Sequence, residues 1–295
     1  MLEALVIGLV QGGTYALIAL GIVLAYRGSR VINFAQAEIG TASLFVAWIV
    51  SGHWHAPYWM GALAAIATAL VIGLAFERLV VRRLEEAPRL TVAVGTIGLL
   101  GLLIALEVYL NGPTPRYLPP PIRGLGVQIA GFYVSPTQFL SFGVIAVIGA
   151  ALVVFLRSTD FGLAVGAAAQ DAAAARLVGL PLTRISMFTW GSAAVLSAIA
   201  ALLIEPTITL IAPNGIGLQL FICGLAAALL GGLGSLSGAF VGGLVVGVLT
   251  SEASFLIPGS VPGAFTIVLF VVVIGVLLAR PQGLLGRAAT RAEAA

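Results

Sequence analysis

Nine apolar runs dominate this chain, at 4–26, 32–51, 58–81, 91–110, 136–156, 183–204, 216–233, 237–257 and 263–280. A helix crosses the hydrocarbon core of a bilayer with about 20 apolar residues at 1.5 Å rise each. Only 8% of the 295 residues are charged, against about 25% in a soluble domain. A soluble fold of this length could not cover its surface with so few charges. The sequence therefore predicts an all-α polytopic membrane protein of eight or nine transmembrane helices, forming one membrane domain over 1–295. Two runs are ambiguous. The second opens with Asn33, Gln36 and Glu38, and the seventh runs into Gly231-Gly232-Leu233-Gly234, so either reads as a partial or broken helix.

Arginine placement sets the expected orientation. All fourteen basic residues are Arg, and twelve of them fall on one side when the nine runs are threaded back and forth. Arg116 and Arg123 fall on the other side, in the loop 111–135. The positive-inside rule then favours an N-out, C-in chain with an odd number of crossings. The absence of Lys excludes a P-loop of the form GxxxxGK[ST], so any ATP-driven step needs another chain. The arginines sit in short loops between apolar runs, not in a basic stripe, which argues against nucleic-acid binding. Met1-Leu2-Glu3 lacks a basic n-region, and its apolar run continues to residue 26, so it reads as a first span and not a signal peptide. Cys223 is the sole cysteine, so no disulfide framework forms. His53 and His55 flank Trp54 beside Tyr58 and Trp59; an interfacial aromatic belt is favoured over a metal site, and no metal or cofactor is expected.

Most of the expected mass outside the bilayer lies in two loops. The loop 111–135 carries Pro113, Pro115 and Pro119-Pro120-Pro121 and reads as a turn-rich cap or a re-entrant piece. The loop 157–182 has an Ala-rich core of high helix propensity, with Gly179 suited to a helix C′ position and Pro181 as a stop. It predicts one short helix outside the membrane. Composition alone leaves a partner-docking element and an ordinary interfacial helix equally open.

The polar residues within the runs are the candidates for a translocation path. Asn33 and Gln36, at i and i+3, are expected to share a helix face with Glu38 nearby; a lumen-facing and a wet-end placement both fit. Gln11 and Tyr15, at i and i+4, either line a path or bond a neighbouring helix. Glu252 is expected deep in its span, and Glu107 and Glu205 at interfaces. Glu77, Arg78, Arg82, Arg83, Glu85 and Glu86 read as a solvated charged face. Gly234, Gly238 and Gly242 form a GxxxGxxxG ridge, repeated from Gly243 to Gly247, that suits close helix packing.

Four of these segments resemble the branched-chain amino acid group of ABC importer permeases, the LivH type. The loop from Gly162 to Gly179 is similar to that group's coupling loop, fitting at Ala167, Ala169, Gln170, Asp171, Ala174, Ala175 and Gly179, with Gly166 where the group has Arg. Tyr15-Ala16-Leu17 through Gly21, then Ile32-Asn33-Phe34-Ala35-Gln36-Ala37-Glu38, is similar to its YALxALG and INFA[HQ]GE segments, with Ala37 for Gly. Gly231 to Gly243 resembles its GGxGSxxGAxxGG block. Arg280 to Arg287 resembles its PxGLFG[RK] ending, with Leu285 for Phe.

The resemblance implies a transport subunit and not an enzyme, working by alternating access in the bacterial inner membrane. It implies a second permease subunit, in a homodimer or in a heterodimer with a LivM-like partner, two cytoplasmic ATP-binding subunits and a periplasmic substrate-binding protein. It implies that Gly162, Ala169, Gln170, Asp171, Ala175, Arg176 and Gly179 meet the ATPase. Branched-chain or related amino acids are the implied substrates. The competing reading is a self-contained secondary transporter or channel, for which Glu252 is the attractive coupling carboxylate.

Overall fold

The computed structural model describes residues 2–122, 126–129, 132–208, 211–213, 215–257, 264–280 and 282–285. Arg123, Pro281, Gly286, Arg287 and Arg291 lie outside the described residues. The described residues are mostly helical, with one small two-stranded sheet. Helix α1 spans Leu2–Ser29, and α2 spans Gln36–Trp48 before a π-helical turn at Ile49–His53. Helix α3 spans Tyr58–Phe76 and also ends in a π-helical turn, Glu77–Val81; α4 spans Arg89–Asn111. Then come α5 (Pro136–Ser158), α6 (Asp160–Gln170), α7 (Ala172–Leu177), α8 (Leu182–Ile208), α9 (Ile216–Gly231), α10 (Leu236–Leu256) and α11 (Ala264–Ala279).

Among the described residues, six helices are long and apolar enough to cross a membrane: α1, α3 with its π-turn, α4, α5, α8 and α10. Helices α9 and α11 are apolar but shorter. Every apolar run of the sequence becomes helix, and the chain is an all-α, multi-pass membrane protein.

Helix α1 is the axis of the bundle. It packs on α8, α9 and α10 and is largely enclosed, as is α8. Helices α3, α4 and α5 turn most of their surface outward. The enclosure of α1 follows from its small residues. A Cβ on Gly247 of α10 would overlap the backbone of Gly8 and Gly12, and one on Gly243 would overlap Ala16. On the other side of α10, Gly238 meets Gly231 of α9, and Gly242 meets Ala227. Two glycine faces on one helix thus bring three backbones together, since neighbouring helices in lipid approach closely only where side chains are absent. Gly234 corrects the expected ridge. It lies in the turn before α10, and a Cβ there would meet nothing within 4 Å.

The loop after α4 carries extended structure among its described residues. It contains a two-stranded antiparallel hairpin, β1 (Val127–Ile129) on β2 (Phe132–Val134), with Gln128 opposite Tyr133. Arg116 fastens the preceding stretch to the bundle. Its backbone pairs with Ile211, its guanidinium donates to Asn111 O at 2.6 Å, and it lies 4.7 Å above the Trp48 ring.

The ends of the bundle differ in charge. Arg27, Arg30, Arg78, Arg82, Arg83, Arg89, Arg157, Arg176, Arg184 and Arg280 belong to helix ends and loops at one end. Arg116 is the arginine at the other end among the described residues.

Candidate coupling element and intramembrane polar cluster

At the arginine-rich end the loop 157–182 folds as two helices, not the one expected. Helix α6 stops at Gln170 and α7 starts at Ala172, with Asp171 between them in extended backbone, φ −144° and ψ 102°. Ala-rich propensity would carry a helix through this point. Asp171 breaks it because its carboxylate captures the first free N–H groups of α7, accepting from Ala173 N at 2.9 Å and Ala174 N at 3.0 Å. Helix α7 then ends in a Schellman turn. Leu180 N bonds Ala175 O at 3.0 Å and Gly179 N bonds Arg176 O at 3.1 Å, while Gly179 takes φ +81°, where glycine is unstrained.

This six-residue helix presents apolar side chains to the outside, with Leu177 89% and Val178 76% exposed. Gln170 and Asp171 are also exposed, and Gly162 is buried where α6 crosses back over Leu156. Two contacts tie the element to the spans. The Arg30 guanidinium, at the end of α1, donates to Ala169 O and Gln170 O. Arg176 pairs with Glu85 in the segment between α3 and α4. These contacts link α6–α7 to the end of α1 and to the segment between α3 and α4.

Sequence-distant motifs converge at the same end. Arg27 donates to Gly234 O at 2.5 Å. The tail returns along α9, with Leu284 N bonding Leu230 O at 2.7 Å, and Gly283, at φ +80°, packed against Gly232. Between α1, α4, the α3 π-turn and α7 lies an open cavity of ≈ 610 Å³, with Arg27, Arg30, Arg82, Arg89 and Arg176 on its walls beside Glu77 and Glu85. Of the charged stretch after α3, Arg78, Arg83, Glu85 and Glu86 are exposed and Arg82 is half-buried, so Glu77 alone departs from the solvated face expected. Glu77 is buried and holds Arg82 at 2.7 Å.

The candidate path residues form an interior cluster. The chain breaks at 31–35 between α1 and α2, and Asn33 builds the turn by accepting from Ala35 N at 3.1 Å. Asn33 lies outside any helix, so the expected shared helix face is absent; it reaches Gln36 instead, Nδ2 to Oε1 at 3.2 Å. Gln36 Nε2 donates to Ala193 O at 2.7 Å, and Ser197 Oγ donates to Gln36 O. Ala193 lies eleven residues into α8, or about 16 Å at helical rise. The first turn of α2 therefore sits near mid-depth.

Asn33, Gln36, Glu38 and Tyr15 are all at most 2% exposed. They are enclosed groups that join α1, α2, α8 and α9. Glu38 lies against Gly217 of α9 and near Thr41 and Glu107. The Tyr15 hydroxyl faces Cys223 and Thr250. Gln11 is half-buried, and Thr14 donates to its carbonyl at 2.7 Å.

Glu107 and Glu205 lie near the ends of α4 and α8 and are buried within the chain. Glu252 is half-buried near the outer turn of α10, one residue from Ser251, which donates to Ala4 O at the start of α1. It is not a deep carboxylate. His53 and His55 are exposed, the former 6.1 Å from the Trp48 ring.

Residues 4–278 match the family described as branched-chain amino acid transport system / permease component. The chain belongs to this permease family. It is 32% identical to the high-affinity branched-chain amino acid transport system permease protein BraD of Pseudomonas aeruginosa, across 97% of this chain and 96% of that protein. It is 30% identical to the corresponding LivH protein of Escherichia coli K12, across 95% and 94%. A solved structure, PsaBC from Streptococcus pneumoniae in complex with Fab, superposes with TM-score 0.52 over 95% of this chain and 91% of the other at 15% identity, a likeness of fold alone.

In this permease, sequence reasoning missed Arg30, Glu77 and the exposed pair Leu177–Val178. Arg30 was legible only as a boundary charge. Its position at φ +56°, past the end of α1, comes from its bonds to a segment about 140 residues away. Leu177 and Val178 carried a usable signal, since two apolar residues before a C′ glycine in a loop have nothing local to bury them.

Proposed function

We propose that this permease is the membrane-spanning subunit of an ABC importer in the bacterial inner membrane, carrying branched-chain amino acids. Its N-terminus lies outside, its C-terminus inside, and α2 with its π-turn, α9 and α11 complete nine crossings. The observation that carries the reading is α6–α7. A doubly capped helix projects from the arginine-rich end with an exposed Leu–Val pair and is tied to α1 and to the α3–α4 segment.

A separate ATP-binding subunit docks on α7 through Leu177 and Val178. Its movement on ATP turnover tilts α1 through Arg30 and the α3–α4 segment through Arg176. Gln36 and Ser197 pass that tilt to α2 and α8 at mid-depth. Tyr15, Asn33, Gln36 and Glu38 are enclosed within one chain, so the path forms where this permease meets a second permease subunit. A zwitterionic amino acid suits a path with few fixed charges, and a periplasmic binding protein selects it. Support comes from the family, from relatives named as branched-chain amino acid permeases, and from the segregation of arginine.

A thiol experiment tests the docking surface. Cys223, the sole native cysteine, is buried. Leu177→Cys should crosslink to a cysteine in the cognate ATPase and resist impermeant thiol reagents added to intact cells, whereas Tyr117→Cys should react with them. Labelling of Leu177→Cys from outside, or no crosslink in the assembled complex, would refute the assignment.

A further inference from the structure

The cavity at the arginine-rich end has a charge balance that the coupling role does not use. Its two carboxylates are each matched, Glu77 by Arg82 and Glu85 by Arg176. Arg27, Arg30 and Arg89 remain on the walls, and none of the three forms an ion pair among the described residues. Arg27 and Arg30 donate to backbone carbonyls, Arg30 also lies 5.9 Å from the Tyr26 ring centroid, and Arg89 is exposed.

The remaining wall is mainly apolar, including Val31, Val92 and Ile185, with the hydroxyls of Ser29, Thr183 and Ser186 among them. At ≈ 610 Å³ the space matches the size of ordinary ligand sites, about 300–1,000 Å³. Its rim is α4, whose first turns show Leu90 and Val94 outward, 74% and 58% exposed. A ligand here meets three cationic donors inside and an apolar, bilayer-facing helix at the mouth.

We infer that this cavity binds the headgroup of an anionic phospholipid, its phosphodiester held by Arg27, Arg30 and Arg89 and its acyl chains lying along α4. Basic pockets between transmembrane helices at the membrane surface take such headgroups. One feature favours lipid over an acidic protein segment: the wall is shared with α4, through Arg89 and Val92, and the first turns of α4 carry Leu90 and Val94 outward. The ligand would also touch Arg176 and Leu177, so lipid class would bear on the coupling element.

The test needs neither orientation nor transport, and so can fail independently of the proposed function. The full chain is delipidated in neutral detergent and titrated with phosphatidylglycerol and with phosphatidylcholine, with bound lipid counted by native mass spectrometry. Saturable binding with at least about tenfold preference for phosphatidylglycerol is expected. Arg89→Gln should weaken it about fivefold, the contribution of one surface arginine. Arg157→Gln, outside the cavity, should leave it unchanged, and added salt should weaken it by screening.

Thermal unfolding of each variant, measured alongside, identifies a change in fold. Equal binding of the two lipids, or unaltered phosphatidylglycerol binding in a folded Arg89→Gln variant, would overturn the inference. Full displacement by inorganic phosphate would reassign the site to the free ion. Displacement by the purified ATPase subunit would reassign it to protein.

Discussion

Removal of the Asp171 carboxylate isolates the coupling element from the rest of the molecule. Asp171 accepts the two amide hydrogens that start α7, and its own side chain is exposed. An N-cap acceptor contributes about 0.5–2 kcal/mol, typically ~1. Helix α7 has six residues, far below the length at which a helix is stable by itself in water. Losing the cap therefore shifts the folded turn toward frayed states by roughly 5- to 30-fold for 1–2 kcal/mol.

The Leu177–Val178 face and the Arg176–Glu85 pair are displaced with it. Asp171→Ala should lower ATP-dependent uptake by a factor in that range while leaving the unfolding temperature of the detergent-solubilised chain unchanged, because the spans do not depend on α7. Asp171→Asn is the deciding control. Asparagine caps as well as aspartate, so uptake should stay within about twofold of the parent. If Asp171→Asn were as defective as Asp171→Ala, the carboxylate charge would be contacting a partner directly and the capping argument would be wrong. Normal uptake in Asp171→Ala would remove α7 from the coupling route.

Other substitutions probe the packing and the hinge. Gly247→Ala forces a methyl into the backbone of Gly8 and Gly12, and overpacking of this kind costs about 1–3 kcal/mol. Its unfolding temperature should fall, whereas Gly98→Ala, where a Cβ meets nothing within 4 Å, should be neutral or slightly stabilising; equal effects would contradict the close approach of α1 and α10. Gln36→Ala removes the side-chain hydrogen bond to Ala193 O in α8, a loss of about 0.5–1.5 kcal/mol, and should lower both unfolding temperature and uptake; an unchanged unfolding temperature would count against α2 being anchored to α8. Gly179→Ala has no clash to relieve but must hold φ +81°, a strain of about 1 kcal/mol; uptake should drop about fivefold with unchanged unfolding, and full activity would show that the turn after α7 is not needed.

The spans were legible because lipid imposes a length and a polarity that local sequence records. The break before α2 was legible in part, since Asn33, Gln36 and Glu38 stood out in an apolar run, and Gly179 declared its C′ position. Burial was not legible. Glu77, Glu107 and Glu205 look like boundary charges along the chain, and their enclosure is set by helices distant in sequence. The split at Asp171 escaped because propensity favours one Ala-rich helix, while a single side chain able to cap favours two. Gly234 shared the spacing of a helix ridge, yet the helix starts two residues later at Leu236, and spacing alone does not report where a helix begins. The junction of Arg27, the Gly231–Gly234 turn and Leu284 could not be read from motifs placed more than fifty residues apart.

Uptake into proteoliposomes tests the central claim most directly. The chain is reconstituted with its second permease and ATP-binding subunits, the binding protein and labelled leucine are added outside, and ATP is enclosed. The account predicts accumulation that needs ATP, the binding protein and the ATP-binding subunits together. Accumulation by this chain alone, driven by an ion gradient without ATP, would contradict it.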